Sequence, residues 1–144
     1  MVFHISFMHM LLHKDGLIEL NYEVATDTLT VSWPDMTTFT LSEIRFALTT
    51  IIDTLKHYDI KKLLIDTRAN VVEITDEAYA ELMLQFSRDL TTTRLQKVAR
   101  LHAVNPAHEK RVARVTKSVN EAVNLSIDFN SFTDEFSALS WLRH

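Results

Sequence analysis

Asp66, Thr67 and Arg68 follow the apolar run Leu63, Leu64 and Ile65, so three polar side chains gather where a buried strand would end. In open α/β sheets that carboxyl edge is where ligands bind. His102 and Asn105 end the next strand-like segment and Thr75 opens a helix-like one, so Asp66, Arg68, Thr75, His102 and Asn105 are placed to share one crevice. Acid–base work there would need His102 within hydrogen-bond reach of a carboxylate and a substrate proton. The plainer alternative is that Asp66 bonds loop amides and Arg68 pairs with a nearby carboxylate, because structural ion pairs imitate sites. No recognised motif orders a Ser, a His and an Asp, so a noncatalytic protein is expected.

Other chemistry-bearing residues are weighed the same way. His9 and His13 stand four apart, a metal-ligand spacing on a helix, with His4 close by. No carboxylate or cysteine accompanies them at matching spacing, so no metal is expected. Lys110, Arg114 and Lys117 share one helical face beside Arg111, and with Arg111 and Arg114 that face offers a docking surface for an acidic partner or a phosphate. A solvated helix surface is the simpler account. Met8, Met10 and Met83 read as gap-fillers of a core.

Composition removes whole classes. Average usage would give roughly ten glycines in a chain this long, and there is one, Gly16. Dinucleotide fingerprints, Walker loops and nucleophile elbows all need several, so no nucleotide cofactor is expected. The absence of cysteine removes disulfides, thiolate metal sites and thiol nucleophiles, and fits a reducing, cytoplasmic setting. A formal net charge of -4 without a basic block argues against nucleic acid. The opening MVFHISFMHMLLH is apolar but has no basic start or small-residue cleavage site and is too short to span a bilayer, so no membrane insertion is expected.

The elements that must position these residues are legible in the pattern. Ile18, Leu20, Tyr22 and Val24 alternate with polar residues, as do Leu29, Val31 and Trp33 before Pro34, which predicts an antiparallel hairpin. Thr40 with Glu43 is a capping box, and Leu41, Ile44, Leu48, Ile51, Ile52, Leu55 and Tyr58 form one helical stripe. The run 63–65 reads as a strand buried on both faces. Thr75 caps a second helix with Ala78, Tyr79, Leu82, Met83, Phe86 and Leu90 inward. In 97–104, Ala99, Leu101 and Ala103 alternate with Arg100 and His102 as a strand, after which Asn105 and Pro106 open a third helix with Val112, Val115 and Val119 inward. Leu125, Ile127 and Phe129 suggest a last strand, and Thr133 a cap for a terminal helix bearing Phe136, Leu139 and Leu142 with Trp141 beside them. The expectation is one α/β domain over 17–144, with a mixed, mostly parallel five-stranded sheet, about four covering helices, and residues 1–16 as an arm or extra strand.

This order, with NYEVATDTLTVSWP, KHYDIKKLLIDTR and FTDEFSALSWL, resembles the STAS-like family of bacterial anti-sigma-factor antagonists and their CRAL-TRIO relatives over about 17–142. The resemblance implies a noncatalytic regulatory domain that recognises a protein partner, with a homodimer through the hairpin or sheet edge as one arrangement. The link to CRAL-TRIO lipid carriers implies the alternative, a carrier or sensor of a small apolar ligand between sheet and helices. Family phosphoswitches place a serine of a D-S-S-G type motif at the second helix. Here that stretch is IDTRANVVEITDEAY, without the glycine and with Thr75 and Asp76 at the opening. The resemblance thus implies Thr75 as a phosphorylation site, beside its plain capping role.

Overall fold

The computed structural model describes residues 9–124 and 126–144. His4, Met8 and Leu125, singled out above, lie outside them. The elements run β1 (His9–Lys14), β2 (Glu19–Glu23), β3 (Thr28–Ser32), α1 (Leu41–His57), β4 (Lys62–Asp66), α2 (Asp76–Leu90), β5 (Lys97–Leu101), α3 (Pro106–Ala122), β6 (Asp128–Phe132) and α4 (Glu135–Arg143). All six strands form one sheet in the order β1-β2-β3-β4-β5-β6. The expected five-stranded sheet is therefore corrected to six, because residues 9–14 pair antiparallel with β2. β2 and β3 form the hairpin, and β3 to β6 are parallel.

A sequential parallel order has a geometric consequence. Every crossover steps the same way, so right-handed connections put α1, α2 and α3 on one face of the sheet. That face holds the main core, where Leu20, Leu29, Val31, Leu63, Ile65 and Val98 meet Ile51, Leu55, Tyr79, Leu82, Phe86, Val115 and Val119. The opposite face is served by α4, whose Ala138 and Leu142 pack on Leu64, Ala99 and Leu101. β4 is thus buried on both faces at the centre, as its apolar run requires.

Local signals fix the ends. Thr40 and Glu43 close the capping box on α1, Thr75 accepts from the Ala78 N–H, and Asn105 accepts from the His108 N–H ahead of Pro106. With so little glycine, the two positive-φ positions fall on Asp27 and Asp59, a residue type that tolerates the left-handed region better than most. Three local expectations are corrected. The last strand begins at Asp128, beyond Ile127. Asp134, not Thr133, caps α4 by accepting from the Ser137 N–H. Phe136 points to solvent at 80% exposure, because its first-turn position lies off the Ala138–Leu142 face.

Candidate functional site

Strand parity places the first component. Val98 faces α2 and α3, so Arg100, two residues on, must face them as well. Its guanidinium is buried and forked onto Glu109 of α3, with Nη1 to Oε2 at 2.9 Å and Nη2 to Oε1 at 2.7 Å. Glu109 Oε1 also accepts from the Ala103 N–H at 2.8 Å, tying the first turn of α3 to the end of β5. Burial works against ionising Glu109, but the Arg100 and Ala103 hydrogen bonds together hold its carboxyl below the ordinary value. The pair enters the interior electroneutral.

The loop after β4 supplies the second. Asn70 Nδ2 donates to the Pro34 carbonyl at 2.8 Å, which fixes the amide so that Oδ1 faces His108 Nε2 at 3.0 Å. A carbonyl oxygen can only accept, so Nε2 carries the proton. Burial, and then repulsion from Arg100 and Arg111, lower the His108 pKa and keep the ring neutral. Tyr79 meets the imidazole edge-on at 5.8 Å, and burial pushes its hydroxyl up to about 12. Arg111 lies 5.4 Å from the Tyr79 ring centroid while donating to the carbonyls of Val72 and Ile74 and pairing with Asp76 at 2.8 Å.

These groups border a cavity of about 100 Å³ between the sheet, α2 and α3. Most of its wall is apolar, from Met83, Phe86, Leu90, Val98, Val115 and Val119. Thr67, Asn70, Arg100 and His108 add polar groups to it. Trp33 also lines it, held edge-on to Phe86 at 6.3 Å. The Trp33 indole N–H is buried with no hydrogen-bond partner among the described residues. Such an unpaired donor costs about 1–3 kcal/mol. Chemically the site offers an apolar hollow and charges already neutralised in pairs, while the unpaired indole nitrogen is itself occluded.

Of the residues singled out from sequence, Asp66 and Arg68 share one cleft and the others have separate hydrogen-bonding roles. Asp66 receives Arg68 through two side-chain hydrogen bonds, at 3.0 and 2.8 Å, and this contact first of all holds its carboxyl below the usual range. The two line an open cleft with Lys14, Asp15, Ser32 and Trp33, which Thr75, His102 and Asn105 do not border. Thr75 and Asn105 serve as helix caps. His102 donates its backbone N–H to Phe132. Arg111 clamps α3 to the loop before α2, and Arg114, exposed, stands 3.7 Å from Asp76. His9 and His13 lie on a strand, not a helix, beside Glu23 and Asp15. Among the described residues no group of three or more His, Asp or Glu could hold a metal, and no helix is long and apolar enough to cross a membrane.

Arg100, His108, Asn70 and Trp33 were not singled out as site residues from the sequence. A signal existed for Arg100: it shares strand parity with Val98 in a segment that had to be buried. The unpaired indole has no signature in one dimension. Comparison with family models, curated proteins and solved structures finds no match to this chain.

Proposed function

We propose that this chain is a noncatalytic, cytoplasmic, STAS-like binding domain that senses or carries a small apolar ligand between its sheet and α2–α3. The observation that carries the reading is the apolar cavity of about 100 Å³ with hydrogen-bonding groups in its wall, which has the lining of a small-molecule site on a smaller scale. A noncatalytic role is favoured because the titratable groups there are occupied with one another: Arg100 with Glu109, and His108 with Asn70. The hairpin followed by three strand–helix–strand steps supports the STAS-like assignment.

Native mass spectrometry tests it. The purified chain is expected to carry, or to take up from added propane, a noncovalent adduct lost on denaturation. Val112→Phe, which pushes a ring into the cavity wall, should reduce that adduct. A wild-type chain that arrives bare and takes up no hydrocarbon overturns the reading.

One surface favours a second reading, recognition of a protein partner. Val104 and Phe136, at 78% and 80% exposure, flank Arg68, whose carbonyl accepts from the Val104 N–H and whose guanidinium lies 3.9 Å from Glu135. Exposed Lys110, Arg114 and Lys117 on α3 would extend it toward an acidic partner. Pull-downs in which Val104→Ser with Phe136→Ser, or charge reversal at Arg114, leave the bound set unchanged would argue against this surface.

A further inference from the structure

We infer that Phe129 controls access to the cavity: a ligand passes between its phenyl ring, on β6, and the end of α3 at Thr116 and Asn120, and the ring swings aside to admit it. The inference rests on the cavity reading above and adds the route and the residue that governs it.

Register places the ring. Phe129 pairs with Val98 across β5 and β6, so the two side chains project to the same face of the sheet, and Val98 belongs to the main core there. Phe132, three residues on, takes the opposite face and meets Trp141 at 5.7 Å, as the same alternation requires. Phe129 therefore turns its ring toward the hollow it lines. No strand lies beyond β6 among the described residues, and Phe129 is 45% exposed. One side chain thus borders both cavity and solvent.

The end of α3 supplies the facing side. His108, Val112, Thr116 and Asn120 are spaced four apart, so they form one ridge, and all four line the cavity. Burial falls along that ridge: His108 is buried, Val112 and Thr116 are half-buried, and Asn120 is exposed. The end near His108 is closed, because Thr67, Asn70 and Arg100 are buried there with their side chains hydrogen-bonded to neighbours. On α2 the wall of Tyr79, Met83, Phe86, Ser87 and Leu90 is buried or half-buried throughout. Among the described residues that line the cavity, Asn120 and Phe129 are the exposed pair.

Packing decides which part moves. An interior at crystal density admits a guest when some group gives way. A half-exposed ring on an edge strand forfeits few contacts on swinging into water. Parting α2 from α3 would instead open the core that holds Phe86, Val115 and Val119.

The test measures kon, koff and Kd for propane on the full chain by methyl relaxation-dispersion NMR at Val98, Val115 and Val119. Phe129→Ala is expected to raise kon and koff together by about tenfold, the rate change that about 1.4 kcal/mol off a barrier produces, and to change Kd by less. Phe129→Trp should slow both. Met83→Ala, which loosens the α2 side, should leave kon near that of wild type. An effect of Phe129→Ala confined to koff would make the ring part of the wall and no more, and overturns the inference. Unchanged rates in both Phe129 variants overturn it too, as does a larger rise in kon from Met83→Ala than from Phe129→Ala; the cavity reading survives each of these results. Absence of saturable propane binding to the wild-type chain overturns both. Should Phe129→Ala not fold, Phe129→Trp, which keeps an aromatic ring at the edge, decides the matter through kon alone.

Discussion

Replacing Glu109 by Gln leaves Arg100 charged, because a guanidinium does not deprotonate in a protein, and buried, because its side chain is only 7% exposed. Removing one partner of a fully buried pair costs about 3–5 kcal/mol. Glu109 is itself 28% exposed, so water already screens part of the attraction, and the expected loss is nearer 2–3 kcal/mol. For a chain of this size that corresponds to a fall in Tm of roughly 5–10 °C and in urea midpoint of about 1 M. Chemical denaturation followed by circular dichroism measures it directly. Arg100→Met in the Glu109→Gln background should restore part of the loss, since the stranded charge is gone. A single Glu109→Gln variant within about 0.5 kcal/mol of wild type would refute the claim that buried Arg100 depends on Glu109 for its neutralisation.

Further outcomes follow from the same geometry. Burial and two nearby guanidinium groups depress the folded His108 pKa below the ordinary 6.5, so on acidification the unfolded chain takes up a proton before the folded one. The stability contributed by neutral His108 is therefore full above about pH 6.5 and lost as pH falls toward the folded value; His108→Gln should flatten that slope in urea midpoints taken between about pH 7 and about pH 5. Asp134→Ala should cost about 1 kcal/mol by removing the cap of α4, whereas Thr133→Ala should cost only a few tenths of that in the same melt. Leu101→Ala, beneath α4, should lower stability by about 2–5 kcal/mol in urea unfolding, as expected of a fully buried leucine on the second core face.

The architecture was legible wherever local chemistry and burial agreed. Thr40, Thr75 and Asn105 announce their helices because a cap answers a local need for backbone partners, and Leu63 to Ile65 announce a central strand because both faces are covered. The two edge strands were harder. β6, with sequence DFNSF, has one neighbour and little buried surface, so no apolar alternation marks it. β1 carries a register shift between Leu11 and His13, which blurs its alternation. At the terminal helix Thr133 and Asp134 are both good caps, and their neighbours do not choose between them.

The candidate site was less legible for a different reason. Polar residues at the carboxyl edge drew attention because they stand where such sheets bind ligands, yet Asp66 and Arg68 satisfy each other and Thr75 and Asn105 satisfy helix ends. The residues that shape the cavity depend on partners far along the chain. Asn70 reaches back to Pro34 and forward to His108, and Trp33 shows its uncommitted donor only once Phe86 and the loop after β4 enclose it.

The central claim is that a small apolar molecule occupies the hollow between the sheet, α2 and α3. Methyl-resolved NMR of the wild-type chain during titration with propane measures this most directly. The account predicts saturable shifts confined to Leu90, Val98, Val112, Val115 and Val119, abolished by Val112→Phe. Shifts absent from those methyls, or clustered on the α4 face around Leu64 and Leu142, would contradict it.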